Sequence, residues 1–167
     1  MVDYKRYQYI SPVPSRQLLG QMRAALLDNL SEMSRIVSSL QNRESLLQEG
    51  DQKVLLYAGS NLYDYYLLVE DSLLIIARTL DKWIPASLDW HYRLLRLMEQ
   101  PFPDRRPPVL TEETVRLLED YLSLFVNYHR HCAILRPEKV LKMVDNIEDL
   151  HRRLQRELNR LVSLFTF

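Results

Sequence analysis

Apolar side chains recur every three or four positions along most of the chain, and proline interrupts this pattern at only a few places. Such spacing is typical of helices that pack one face against a core. The first stripe follows two prolines and Ser15, a candidate N-cap, and should stop near Gly50. It consists of Leu19, Met22, Leu26, Leu30, Met33, Val37 and Leu40. The pattern predicts one long helix here.

A second apolar stripe starts at about Asp51. It consists of Leu55, Ala58, Leu62, Tyr65, Val69, Leu73, Ile76 and Leu80, with further apolar residues at Tyr66, Leu68, Leu74 and Ile75. Because apolar residues occupy more than one side of this segment, we expect it to be the central helix of the fold.

Proline also marks boundaries in the second half of the chain. Pro85 biases the residue before it away from helix, and a shorter helix is predicted over residues 87–98. Four prolines between positions 100 and 110 predict an extended connection. Thr111 offers a capping hydroxyl and precedes two glutamates, which suit the positive end of a helix dipole. A fourth helix is therefore predicted from Thr111 to a point before Pro137.

The last two predicted helices complete the apolar pattern. The fourth carries Val115, Leu118, Leu122, Phe125 and Cys132. The final one begins at Pro137, because proline is favoured at the first helical position, and carries Val140, Val144, Ile147, Leu154, Leu158, Leu161 and Phe165. Four long helices and one short helix predict an all-α fold, an antiparallel four-helix bundle. A coiled-coil dimer is the alternative, which the short, separated segments disfavour.

Composition narrows the class of protein. A chain of 167 residues suits one domain, which we assign to residues 15–167 after an N-terminal extension over residues 1–14. That extension has no apolar core segment, so we expect no secretory signal. The most apolar run, residues 65–77, contains two carboxylates and is shorter than the roughly 20 residues of a membrane span. The single cysteine excludes an intrachain disulfide, and we expect a cytoplasmic protein.

The chemistry-bearing residues give few enzymatic signatures. Basic and acidic residues both number 22, so net charge indicates no particular partner. The four histidines are His91, His129, His131 and His151, and none has another at the spacing that places two ligands on one helix face. We therefore expect no metal site and no cofactor. Motifs for a nucleophilic serine, a phosphate-binding loop or a thiol enzyme are also lacking in the sequence.

A polar segment late in the fourth helix is the strongest candidate site. It runs from Asn127 through His129 and Arg130 to His131. An imidazole exchanges protons near neutral pH and a guanidinium stays charged, a combination that suits phosphodiester chemistry. The alternative is structural: Arg130 and His129 face water while His131 packs against Tyr128 or a neighbouring helix.

Other polar residues have two interpretations each. Glu70 and Asp71 interrupt an apolar stretch, and a buried carboxylate needs a partner. In the structural interpretation, one of them forms a bond with an Arg, a Tyr or a backbone amide inside the bundle. In the functional interpretation, it lines a cleft near the Arg130–His131 pair. Residues 152–160 carry four arginines along one side of the last helix, which either contact RNA phosphates or form a solvated face. Trp90 and His91 are interpreted as a packing anchor rather than a base-stacking platform.

From about Asn61 to Phe165 the order of features resembles the HepT-like branch of the HEPN proteins. The landmarks are Tyr66, Glu70 and Ile76-Ala77, then Trp90-His91, Leu94-Leu95 and Met98, then Arg106-Pro107-Pro108-Val109-Leu110, and finally Phe125 to His131 with Leu135 and Lys139-Val140. This family comprises small helical ribonuclease toxins paired with nucleotidyltransferase antitoxins of the MNT type. The resemblance implies a HEPN bundle, a homodimer whose fourth helices line a shared cleft, RNA as substrate and an MNT-type partner.

The resemblance also implies site residues. His131 and Arg130 match the catalytic motif, with Asn127, His129 and Glu70 as supporting residues that contact substrate. Two motif positions differ: Val126 stands where the family has its catalytic arginine, and Ala133 where it often has a tyrosine. Two functions stay open, a weakened metal-independent endoribonuclease and a catalytically inactive protein that binds RNA or the nucleotidyltransferase. A purely structural helical adaptor is a third.

Overall fold

The computed structural model describes residues 14–131 and 136–165, and in this part of the chain the all-α prediction is confirmed. The helices are α1 (Arg16–Gln41), α2 (Glu44–Gln48), α3 (Gln52–Ile76), α4 (Trp90–Glu99), α5 (Glu112–His131) and α6 (Pro137–Ser163). A π-helical turn, Ala77–Asp81, follows α3 directly. The four long helices α1, α3, α5 and α6 are those that the apolar pattern predicted.

Side chains with the expected chemistry begin these helices. The Ser15 hydroxyl accepts a hydrogen bond from the Leu18 N–H at 3.2 Å, and an Asp51 carboxylate oxygen accepts one from the Lys53 N–H at 2.8 Å. The Thr111 hydroxyl does the same for α5 by accepting from the Thr114 N–H at 3.3 Å. Each bond satisfies an amide that the first turn of a helix leaves without a partner.

The prediction that the first helix stops near Gly50 is wrong, because α1 ends at Gln41. The chain then bends, and the Arg43 guanidinium lies over the Tyr57 ring, 4.3 Å from its centroid, while donating to the Tyr57 hydroxyl at 3.0 Å. The short helix α2 follows, and Gly50 with φ of 76° closes the connection. This tertiary contact with α3 is not visible in the local pattern.

Two shorter predictions also need correction. The helix expected over residues 87–98 begins at Trp90, because Ser87 instead closes a turn by accepting from the Trp90 N–H at 3.0 Å. The connection over residues 100–110 is non-helical as predicted but is not simply extended. It contains a tight turn in which Phe102 pairs with Arg106 and Asp104 has φ of 59°.

The long helices run up, down, up and down. Asn29 donates to Asp71 and Ser39 bonds Tyr57, so residues later in α1 meet residues earlier in α3. The same antiparallel order joins α5 to α6, since Tyr121 bonds the Met143 carbonyl and Arg153 bonds Glu113. The helix α3 contacts α1, α4, α5 and α6, which confirms it as the central helix.

The buried face of each helix is the predicted apolar stripe. All predicted stripe positions of α1 are buried, and in α3 only Leu55 is partly exposed. In α6 the stripe is buried up to Leu161, and Phe165 packs against its edge. Cys132, predicted to continue the α5 stripe, lies outside the described residues. Among the described helices, none is long and apolar enough to pass through a lipid bilayer.

A fully buried ion pair joins the end of the π-helical turn to the connection before α5. Arg106 donates from Nε and Nη2 to the two carboxylate oxygens of Asp81 at 2.8 and 2.7 Å. Its remaining N–H groups donate to the carbonyls of Gln100, Pro107 and Leu97 at 3.0, 3.3 and 3.2 Å. Burial raises the pKa of the Asp81 carboxyl, and the Arg106 bonds oppose that rise. All five guanidinium donors therefore have acceptors.

Replacing Arg106 should be severely destabilising. Arg106→Met leaves a buried carboxylate without its counter-charge, and we expect it to lower the free energy of unfolding by about 3–5 kcal/mol in urea denaturation. The double variant Asp81→Leu/Arg106→Met removes both charges and should recover part of that loss. Equal losses in the single and double variants would contradict this account.

His151 is the buried histidine of the core, between α1, α3 and α6. The Ser34 hydroxyl donates to the Leu30 carbonyl at 2.9 Å, so its oxygen accepts from His151 Nε2 at 2.8 Å. Nδ1 then accepts from the Tyr65 hydroxyl at 3.3 Å. Burial lowers the pKa of the His151 imidazole, so the network holds the neutral ring.

This network makes stability depend on pH. In the unfolded chain His151 titrates near the ordinary pKa of about 6.5, whereas the folded protein resists protonation, so the unfolded state binds more protons below that pH. We expect the free energy of unfolding to fall as the pH drops from about 7.5 to 5.5. His151→Gln should be less stable at the higher pH but lose less on acidification. The same acid loss in both proteins, measured by urea denaturation, would show that His151 is not responsible.

Candidate functional site

The predicted polar segment forms the carboxyl end of α5. Residues 127–131 are helical in backbone, as the last five residues of Glu112–His131. The side chains of residues 126–131 are outside the described part of the structure, and so are all of residues 132–135, including Ala133. The roles assigned to His131, Arg130, Asn127 and His129 therefore stay predictions, and the structure supplies the position of their helix.

Aromatic packing fixes that position. Phe125, two residues before Asn127, is buried and meets the Tyr63 ring edge-on with centroids 5.1 Å apart. It also packs against Tyr66, with centroids 5.9 Å apart. The Tyr121 hydroxyl donates to the Met143 carbonyl at 3.0 Å and so ties the same helix to α6. The polar segment thus follows directly from a part of α5 that is anchored on two sides.

Glu70 has a partner that the sequence did not indicate. Its carboxylate accepts a hydrogen bond from Nδ1 of His91 on α4, and the Glu70 side chain is only 11% exposed. The predicted partners, an Arg, a Tyr or a backbone amide, are therefore wrong for this residue. The interpretation of Trp90 and His91 as an anchor is supported, since their rings stack with centroids 3.7 Å apart and His91 bonds α3.

The helix register separates Glu70 from the polar segment within one chain. Phe125 packs against Tyr63 and Tyr66, and α5 runs antiparallel to α3. Residues after Phe125 therefore lie beside positions of α3 that precede Tyr63, whereas Glu70 follows Tyr66 by one turn. At 1.5 Å per residue this places Glu70 and residues 127–131 about 15 Å apart along the bundle. The cleft that Glu70 and the Arg130–His131 pair would share stays a prediction, since the side chains of that pair lie outside the described part of the structure.

Two of the α6 arginines form hydrogen bonds within the bundle. Arg153 donates to Asp149 at 2.7 Å and to Glu113 at 2.6 Å, and Arg160 donates to the Pro108 carbonyl at 3.3 Å. These bonds favour the structural interpretation of the basic stripe over direct contact with RNA. Among the described residues, no group of three His, Cys, Asp or Glu side chains is arranged to hold a metal ion.

A second polar surface lies between α5 and α6. A groove there is lined by Leu117, Asp120, Tyr121, Ser123, Lys139, Lys142, Met143 and Asn146. No motif predicts this groove, because its residues come from two helices. Because α5 and α6 pack side by side, Ser123 and Lys139 lie together at one end of the groove. Ser123 precedes Asn127 on α5 by four residues, which is about one helical turn.

The fold is an all-α bundle whose helix order is consistent with the HEPN class. A model of the family described as HepT-like protein matches residues 58–165, well over half of the chain. The chain therefore belongs to the HepT-like family, as the resemblance predicted. The match begins within α3 and includes α4, α5 and α6. Neither a curated protein nor a solved structure gives a significant match to this chain.

The Glu70–His91 bond should contribute measurably to stability. In a double-mutant cycle of Glu70→Leu and His91→Leu, we expect a coupling energy of about 1 kcal/mol or more from urea denaturation, because the carboxylate is nearly buried. The Arg35–Glu32 pair on α1 is a matched control, since both side chains are more than half exposed. Its coupling should be about 0.5 kcal/mol or less. Equal couplings in the two cycles would show that the buried bond adds nothing.

Proposed function

We propose that this protein is the RNA-cleaving component of a two-component toxin–antitoxin system, a metal-independent endoribonuclease that acts in the cytoplasm. The observation that carries the proposal is the HepT-like match, which includes the whole of α5 and thus Arg130 and His131. The anchored position of α5 beside Tyr63 and Tyr66 gives the polar segment a fixed support.

The proposed reaction needs only side-chain chemistry. The ribose 2′-oxygen attacks the adjacent phosphorus, the bond to the 5′-oxygen breaks, and a proton passes from the first oxygen to the second. His131 is the proposed acid or base in this transfer, and Arg130 stabilises the charge that develops on phosphate. Asn127, one helical turn before His131, and His129 are the proposed substrate contacts.

The arrangement favours a homodimer. Adjacent residues of a helix project about 100° apart, so Arg130 and His131 of one chain diverge. Two copies that place their α5 helices side by side bring an arginine of one copy to the histidine of the other. The same pairing is the route by which Glu70 would approach the polar segment, since the two are about 15 Å apart in one chain. The second proposed partner is an MNT-type nucleotidyltransferase antitoxin.

A specific observation favours a second function. Val126 and Ala133 replace the motif arginine and tyrosine, and loss of one charge-stabilising group costs on the order of a hundredfold to a thousandfold in rate. Ala133 also lacks the hydroxyl that the antitoxin is thought to adenylylate in related pairs. The alternative is therefore a catalytically inactive HEPN protein that binds RNA or the nucleotidyltransferase.

Cleavage of RNA in the presence of EDTA distinguishes the two functions. We expect the wild-type protein to cut a mixed cellular RNA with the chelator present. His131→Ala should abolish cleavage, because no proton donor replaces the imidazole, and Arg130→Ala should slow it by a hundredfold or more. Products resolved on a denaturing gel provide the measurement.

A matched control tests whether the effect is local. Arg116→Ala removes an exposed arginine from the first turns of the same helix and should leave the cleavage rate unchanged. Wild-type activity no higher than that of the His131 variant would overturn the nuclease proposal. Binding of RNA or of the nucleotidyltransferase without cleavage would then support the alternative.

A further inference from the structure

We infer that the groove between α5 and α6 holds a phosphodiester group of the RNA strand next to the point of cleavage. The inference rests on the proposed function and extends it to residues outside the family motif. The groove ends at Ser123 and Lys139, and Asn127 follows Ser123 by four residues on α5. That spacing is one helical turn, or about 6 Å.

The charge of the groove suits an anion. Lys139 and Lys142 line one wall and are three residues apart on α6, which puts their Cβ atoms about 5–6 Å apart. Both are exposed, and neither forms an ion pair with a described side chain. Arg153 of the same helix differs from these lysines because it forms ion pairs with Asp149 and Glu113. Asp120 is the single carboxylate among the lining residues, so the groove is positive.

Polar and apolar groups complete the surface. Asn146 uses one amide N–H to bond the Lys142 carbonyl at 2.9 Å, which leaves its second N–H to donate to a phosphate oxygen. Leu117, Tyr121 and Met143 form an apolar floor that a ribose can cover. The groove therefore offers two positive charges and a neutral donor above an apolar floor, with Asp120 as the single opposing charge among the lining residues.

The size of the groove favours a backbone contact over a base pocket. Its volume is about 130 Å³. Pockets that enclose a small-molecule ligand are larger, roughly 300–1,000 Å³. The groove is therefore smaller than a pocket that encloses a whole ligand, and it suits a contact with the strand backbone. Because phosphate contacts position a strand without reading its bases, the groove should contribute affinity and leave sequence preference unchanged.

Fluorescence anisotropy with a labelled 2′-O-methyl RNA oligonucleotide tests the inference, since this probe lacks the attacking hydroxyl and stays intact. For Lys139→Ala/Lys142→Ala we expect about tenfold weaker binding at 100 mM salt. The slope of log affinity against log salt should become shallower by about 0.7, because one lost phosphate contact with a single strand contributes about that much. Asn146→Trp should weaken binding and make the slope shallower by a similar amount, because obstructing the groove removes the same phosphate contact.

The control removes the same charge elsewhere. Arg23→Ala/Arg35→Ala takes two exposed arginines from α1, and we expect less than a twofold change in affinity. Circular dichroism melting of every variant confirms that it is folded.

The outcomes separate the two proposals. If wild-type protein binds RNA but the lysine variant matches the α1 control, or Asn146→Trp binds like wild type, the groove inference is overturned and the proposed function stands. If wild-type protein neither binds the probe nor cleaves unmodified RNA, the proposed function fails, and the inference fails with it. A slope that is shallower in the lysine variant and in Asn146→Trp, but not in the α1 control, supports both.

Discussion

The buried contact between Arg106 and Asp81 ties the end of the π-helical turn to the connection before α5, which has no regular structure of its own, and the same guanidinium binds the Leu97 carbonyl of α4. Five residues after Arg106, Thr111 begins α5. The placement of α5, and hence of its polar end, depends on a charge pair that cannot be lost one partner at a time.

The long helices could be predicted because each carries a long apolar stripe, and three of them, α1, α3 and α5, also begin with a capping side chain. Each of these helices begins with a side chain that accepts a hydrogen bond from a backbone N–H two or three residues later, and these side chains are Ser15, Asp51 and Thr111. The end of α1 could not be predicted in this way. It depends on Arg43 reaching Tyr57, a residue of another helix, and a local pattern holds no information on that contact.

The candidate site could likewise be predicted only in part. The motif positions on α5 and their departures at Val126 and Ala133 are properties of the sequence alone. The bond from His91 to Glu70 and the groove between α5 and α6 are not, because their members are separated in sequence and no spacing rule links them. The register of α5 against α3, which is set by Phe125, is likewise a product of packing.

The π-helical turn Ala77–Asp81 determines which way the side chains face at the end of α3. Ile76 is buried, and in a regular α-helix Asp81, five residues later, would be rotated from it by about 140°. The wider turn bonds residues five apart, so the carboxylate stays on the inner side. Deleting one residue here would restore α-helical phase, and the carboxylate, then four residues after Ile76, would be rotated from it by about 40° and would stay on the inner side. The wider turn therefore accommodates one extra residue in this part of the chain without moving the charge to the solvent side.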